Sequence, residues 1–409
     1  IIGGRNTIDG EDSLILGREN DVKRTRNAGS GYVNITGDRN IIRNEGNGIN
    51  ISGSKNRINY YKEAVWYGGD APNNNSAEKD FGNVSDPSLH IYGSRNTLGL
   101  DLEGRRLTSG FIVGENNRLY SYNGYVFGTY NNVYASGATV FGRGNLVGID
   151  GNTPAEGTDF LALGLGNAIK SSYGMGVGAS NTIESEYGMA FGRYNKVGSE
   201  ASYSTVAGYQ NYASKGNNVV FGLMNNNDKS SGFSKEDPSG VNSTAIGILN
   251  KSKGERSTTL GINNTVKEDG KNASAFGSSN TASGEEALAV GRTNYATNKM
   301  AVAVGNWNNY TNISGKWKVY DSGNSSVALG VKNAAPGDYA NAIGGMNIAN
   351  DMASTAVGYS NQAFGKQNSV FGAYNQANVI RGVVAGFQNF GMGYGSIIVG
   401  NQNNYLFSD

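Results

Sequence analysis

A short apolar run closed by Gly-x-x-Asn occurs twenty-four times along the 409-residue chain, and of the twenty-three intervals between successive motif glycines fourteen are 14 residues and three are 16. The stretch "LAVGRTNYATNKMAVAVGNWNNY", Leu288 to Tyr310, shows two consecutive units with glycines at 291 and 305. A fixed period of this size means one small structural unit stacked on copies of itself. Fourteen residues are too few for a pair of helices, and alternation among Val, Ile, Phe, Thr and Tyr favours strands. Two short strands and two turns fill the unit. The chain therefore reads as all-β, a parallel β-roll (β-solenoid) of about 14-residue coils. Triangular helices built on hexapeptides need about 18 residues per turn, and nonapeptide calcium rolls carry a different glycine pattern.

A coil this short has a thin interior. Nine units place Ala two residues before the glycine, for example Ala289, Ala303 and Ala342, while nineteen of the twenty-four place Val, Ile, Leu or Phe immediately before it. Neighbouring strand residues face opposite ways, so the strand is apolar on both sides. With the small residues inside, the larger ones form an outward stripe, and each would forfeit about 1.5–3 kcal/mol if left in water. Self-association along the stripe follows, with Phe127, Phe141, Val304, Ile343, Val357 and Phe371 as candidate interface residues. Near the N-terminus Thr36, Ser52 and Tyr92 take the stripe position and Ile35, Ile51 and Ile91 precede them, predicting a more polar surface there. The motif glycine is assigned to a turn without Cβ strain. The motif asparagine is assigned to a left-handed backbone position and to a ladder of side-chain amides between coils.

Composition narrows the function classes. Gly (62 residues) and Asn (56) suit many tight turns, and 37% hydrophobic with 10% aromatic content argues against disorder. Lys and Arg (34) nearly cancel Asp and Glu (33), which excludes a general electrostatic pull toward nucleic acid or an anionic membrane. There is no cysteine for a disulfide frame or thiolate chemistry and no apolar run of membrane-helix length. The chain is expected to be a piece of a longer protein.

The units "NSSVALGVKNAA", "STAVGYSNQA" and "MAVAVG" resemble the head repeats of trimeric autotransporter adhesins of the YadA-like type. The family motif, roughly Asn-Ser-Val-Ala-Ile-Gly-x-x-Ser, is kept as Ser-Val-Ala-Leu-Gly at Ser326 to Gly330, with Asn standing where the family often has Ser or Ala. The resemblance covers nearly all of the chain. It implies a left-handed parallel β-roll assembled as a homotrimer on a bacterial outer membrane, exposed at the cell surface, with a coiled-coil stalk and a C-terminal membrane anchor outside this sequence. It also implies an adhesive function without enzymatic activity or cofactor, the partners being a second and third copy of the chain and a host receptor or extracellular matrix protein. Richness in Asn, Lys, Ile and Tyr resembles fusobacterial adhesins of the CEACAM-binding type, whose partner is a cell-surface glycoprotein with immunoglobulin domains. The alternative is a β-solenoid polysaccharide-degrading enzyme or phage tailspike, and a structural spacer is a third possibility.

The chain is expected to form a single head region, 1–409, with irregular coils and a long insertion over 1–113, regular coils with insertions over 114–329, and regular coils over 330–409. Insertions follow Gly17, Gly53, Gly93, Gly142, Gly222 and Gly305. Specificity belongs in such departures from a monotonous surface. The longest interval, Gly53 to Gly93, is expected to hold a degenerate coil ending near Gly68 and carries Tyr60, Tyr61, Trp66 and Tyr67. A second insertion carries Trp307, Tyr310, Trp317 and Tyr320. These eight are candidate receptor contacts, because Trp and Tyr dominate binding hot spots, although such residues also serve packing. The polar insertion from Asn225 to Asn242 has the character of a solvated loop. Catalysis has little support: the single histidine, His90, lies on a strand-like segment, and the carboxylate pairs Glu11/Asp12, Asp101/Glu103 and Glu285/Glu286 read as solvated surface. No metal site is expected, since Asp9, Glu11 and Asp12 offer too few oxygens for calcium.

Overall fold

A computed structural model describes residues 1–9, 13–24, 33–44, 49–59, 88–98, 109–120, 123–150, 153–154, 158–226, 240–313 and 316–405. They form strands and turns, with no helix among the described residues, in two units, Ile1–Tyr203 and Ser204–Asp409. Most coils contribute one strand that carries or directly precedes the motif glycine and a second, usually shorter, just after the motif asparagine.

In the first unit the longer strands run from Ser13–Leu16 to Met189–Arg193 and the shorter ones from Thr7–Asp9 to Lys196–Val197. Every neighbouring pair within each stack is parallel and in step: Gly114 lies beside Gly128 and Gly128 beside Gly142. A slip of one residue would turn the interior outward, so the period itself sets the register. The interior of this unit changes along the stack, from isoleucine in the N-terminal coils through Val126 and Val140 to the expected alanine at Ala162 and Ala190. Ile15, Ile35, Ile51, Ile91 and Ile112 point inward two positions before the glycine, and the shorter strands add Val22, Ile42, Ile58, Leu98 and Leu119.

The second unit follows the same plan, with longer strands from Thr205–Tyr209 to Ile397–Asn401. Its interior is the alanine-lined one expected from the sequence: Ala275, Ala289 and Ala303 pack with Ala282 and Ala296. The second turn of each coil adds Ala273, Ala287 and Ala301 to the same cluster. In the first unit the same turn position is filled by Val33, Ile49 and Leu89 in the N-terminal coils and by Ala138 further along.

The asparagine ladder is continuous within each unit. Asn294 donates from its backbone N–H and from Nδ2 to Oδ1 of Asn280 (3.0 and 2.9 Å), and Nδ2 also donates to the carbonyls of Val290 (2.8 Å) and Gly305 (2.6 Å). One buried side chain thus ties three successive coils, each net bond contributing about 1 kcal/mol. The ladder asparagines do not take the left-handed backbone assigned to them from sequence. The residue just before them does: Thr293 has φ 55° and Trp307 φ 60°. The reason is hydrogen bonding, since Thr293 N–H reaches the Ser278 carbonyl and Trp307 N–H the Arg292 carbonyl, both at 2.9 Å. Neighbouring coils on this ladder hold a β-branched or aromatic residue in a conformation it otherwise avoids at a cost of about 1–2 kcal/mol. The glycine assignment stands: Gly305 has φ 123°, and a Cβ there would overlap the carbonyl oxygen of Gly330 in the next coil.

Insertions leave the stack undisturbed. Ile49 pairs with Leu89 and Ser52 with Tyr92, and Asn96 N–H donates to Asn56 Oδ1 at 3.0 Å, so the coils on either side of the 40-residue interval are direct neighbours. The degenerate coil expected near Gly68 lies outside the described residues. After Gly142 the chain makes a small antiparallel hairpin, Ile149–Asp150 with Thr153–Pro154, and after Gly305 another, Tyr310–Ile313 with Lys316–Val319.

Candidate functional site

Three surface features stand out from the repetitive wall: the outward apolar stripe, an aromatic cluster at the second hairpin, and a tyrosine column in the first unit. The stripe arises because strand residues alternate. Around the buried Ala303 the flanking Val302 and Val304 face outward, and the same alternation places Ile343 and Val357 outside Ala342 and Ala356. Phe127, half-buried, and Phe141 and Phe371, each 42% exposed, occupy the equivalent position. Phe111, Phe127 and Phe141 stack on one another across coils, with ring centroids 5.4 and 4.5 Å apart. In the N-terminal coils Thr36, Ser52 and Tyr92 face outward over buried Ile35, Ile51 and Ile91.

The aromatic cluster is built by the hairpin that follows Gly305. Trp307 occupies the left-handed corner; its ring lies 5.4 Å from that of Tyr310, which in turn lies 5.3 Å from Tyr295 in the preceding coil. Tyr310 opens the first hairpin strand opposite Val319, and the N–H of Tyr320 donates to the Asn309 carbonyl at 2.9 Å. This closure sets Tyr310 and Tyr320 on the rim of a recess of about 190 Å³, completed by Lys332, Met346, Ile348 and Gln362. Burial, and then Tyr310, holds the Tyr295 hydroxyl above the usual tyrosine range, so it stays a neutral hydrogen-bonding group. Trp317 pairs with Asn312 in the hairpin register. The structure thus brings Trp307, Tyr310 and Tyr320 into one place. Tyr60, Tyr61, Trp66 and Tyr67 lie outside the described residues.

The tyrosine column was missed in the sequence. Tyr173, Tyr187 and Tyr203 stack with centroids 4.6 and 4.7 Å apart, at left-handed corners of the second turn. The signal was present in "SSYGM" and "SEYGM", where Tyr recurs at one place in the unit. Beside it, Glu184 bridges Lys170 (3.1 Å) and Lys196 (3.0 Å). Burial opposes its ionisation, but hydrogen bonds and charge from the two lysines outweigh this and hold the carboxyl below the usual range.

Of the residues considered for chemistry, His90, Glu285 and Glu286 are described. His90 is a half-buried strand residue whose Nδ1 is 3.3 Å from Asn50 Nδ2 and whose ring lies 6.0 Å from Phe111. Glu285 pairs with Lys299 at 2.9 Å. Glu11, Asp12, Asp101 and Glu103 lie outside the described residues. Among the described residues no three His, Asp or Glu side chains gather as metal ligands.

Comparison with known families bears on this geometry directly. The family model of the YadA head domain repeat matches residues 239–264, 269–294, 322–345 and 335–361. These stretches are YadA head repeats. No curated protein matches the chain. All four matched stretches lie in the second unit, where most of the inward positions are alanine. The first unit keeps the same glycine and asparagine ladders around larger interior residues.

Proposed function

We propose that this YadA-like head works as a homotrimer, exposed on a bacterial outer membrane through an anchor outside this sequence, and that it binds a host cell-surface glycoprotein or extracellular matrix protein. The observation that carries the assembly is the strand with two apolar faces. Ala303 is buried inside the coil, while Val304 and its equivalents repeat outward at every step in register. A stripe with that repeat is covered best by identical stripes around an axis parallel to the coil stack, because each coil then meets its own copy. Phe127, Phe141, Val304, Ile343, Val357 and Phe371 are the interface residues in this reading.

Receptor contact is assigned to Trp307, Tyr310 and Tyr320, with Trp317 on the same hairpin. These residues interrupt the repeat, and they join rigid rings to a recess with a cation, Lys332, on its rim. The test is binding of the recombinant chain to immobilised collagen, fibronectin, laminin and CEACAM-type immunoglobulin domains. Replacing Trp307, Tyr310 and Tyr320 together by Ala should weaken binding to whichever ligand is found by about tenfold or more, with the β-sheet circular dichroism unchanged. Full binding by the variant would remove the hairpin from the contact surface.

A further inference from the structure

The first unit carries a basic recess that neither the repeat nor the aromatic cluster accounts for. Its volume is about 530 Å³, and its wall includes Lys55, Arg57, Arg95, Arg118, Tyr130 and Asn132, with no carboxylate among the lining residues. The four cations come from three consecutive coils. Arg57 pairs with Thr97 and Thr97 with Arg118 in the shorter-strand stack, so the two arginines sit two steps apart in one column, about 9.6 Å at the usual strand spacing. Lys55 and Arg95 occupy adjacent left-handed corners, φ 58° and 56°, which project their side chains over the same groove.

Arg95 is paired with Glu115 at 3.2 Å, through groups about half exposed. Lys55, Arg57 and Arg118 form no ion pair among the described residues, and all three are exposed. Three cations with no acidic partner among the described residues repel one another in one concave strip, an arrangement that an entering anion stabilises. The guanidinium forks of Arg57 and Arg118 suit oxyanions that accept two parallel hydrogen bonds. The chain as a whole has a formal charge of only +1, so the attraction is confined to this strip.

We propose that the recess binds a linear sulfated polysaccharide, its sulfates spaced along the coil axis over Lys55, Arg57 and Arg118. A regular column of cations on a fixed pitch matches a chain that bears anionic groups at regular intervals. Nucleic acid fits less well, because the one aromatic ring on the wall, Tyr130, already has Arg143 5.7 Å from its centroid and so offers a poor stacking platform. The site lies in the first unit, over the shorter-strand stack and the left-handed corners beside it.

The test uses the full 409-residue chain and a short heparin oligosaccharide as probe, read by calorimetry at several salt concentrations. Binding should weaken steeply as salt rises, and the Arg57→Glu/Arg118→Glu variant should bind about tenfold or more weakly. A control with the same charge change, Arg256→Glu/Arg381→Glu in the second unit, should bind as the parent does. Circular dichroism and melting confirm folding. Should the glutamate variant fail to fold, Arg57→Gln/Arg118→Gln is read in its place against the same expected loss. Absence of heparin binding at physiological salt, an equal loss in the control, or equally tight binding of a single-stranded oligonucleotide of matched charge would each overturn the proposal.

Discussion

Asn294 directs both its backbone N–H and its side-chain amide at a single oxygen, Oδ1 of Asn280, at 3.0 and 2.9 Å. That oxygen is buried, so removing the donor side chain leaves polar groups in two neighbouring coils unsatisfied. Asn294→Ala should lower stability by roughly 2–4 kcal/mol, read from denaturant unfolding. Asn403, exposed and with a weaker 3.3 Å bond to Val399, should cost about 1 kcal/mol or less under the same change. Equal losses at the two positions would mean that the ladder adds nothing beyond backbone pairing.

The two turn positions of one motif should respond in opposite directions. Gly305→Ala places a methyl on the Gly330 carbonyl and should destabilise by about 3 kcal/mol or more. Thr293→Gly removes a β-branched residue from a left-handed corner and should be neutral or stabilising by up to about 1 kcal/mol. Thermal melts of the two variants check this, and a severe loss at Thr293 would show that its side chain has a structural role.

Assembly can be separated from folding because the stripe residues point away from the alanine core. Val304→Asp, Ile343→Asp and Val357→Asp combined should convert the proposed trimer to a monomer in light scattering while circular dichroism keeps its β-sheet form. A trimer that survives the triple change would place the interface elsewhere.

Glu184 gives a pH signature. Because its folded carboxyl is held below the ordinary range, its contribution is complete above that range and is lost as pH falls through the depressed value. Glu184→Gln should therefore melt at a lower temperature than the parent at neutral pH, with the gap closing as pH falls below about 4. A gap independent of pH would show that the bridge to Lys170 and Lys196 contributes nothing through charge.

The 14-residue period was enough to place the strands, the glycine turn, the asparagine ladder and the inward Ala303, because each depends only on spacing and side-chain size. The left-handed corner at Thr293 was hidden, since hydrogen bonds from adjacent coils override the local preference that sequence reading relies on. The isoleucine interior around Ile35 and Ile91 was noticed but not recognised as a second way of filling the coil. At the functional surface, Trp307, Tyr310 and Tyr320 were legible as an aromatic interruption. Lys55, Arg57, Arg95 and Arg118 were not: they lie scattered between positions 55 and 118, and only the direct pairing of Ser52 with Tyr92 and of Arg57 with Thr97 puts them in neighbouring coils.

The left-handed corners have one more consequence. They are occupied by Arg5, Glu19, Lys55, Tyr130, Thr293, Trp307, Lys332 and Met346, residues with no shared size, charge or polarity. The backbone enforces the bend and leaves the side chain unspecified, so each coil carries a slot open to replacement by single substitutions. That column of the surface can be redrawn, one residue at a time, without disturbing the stacking of the coils.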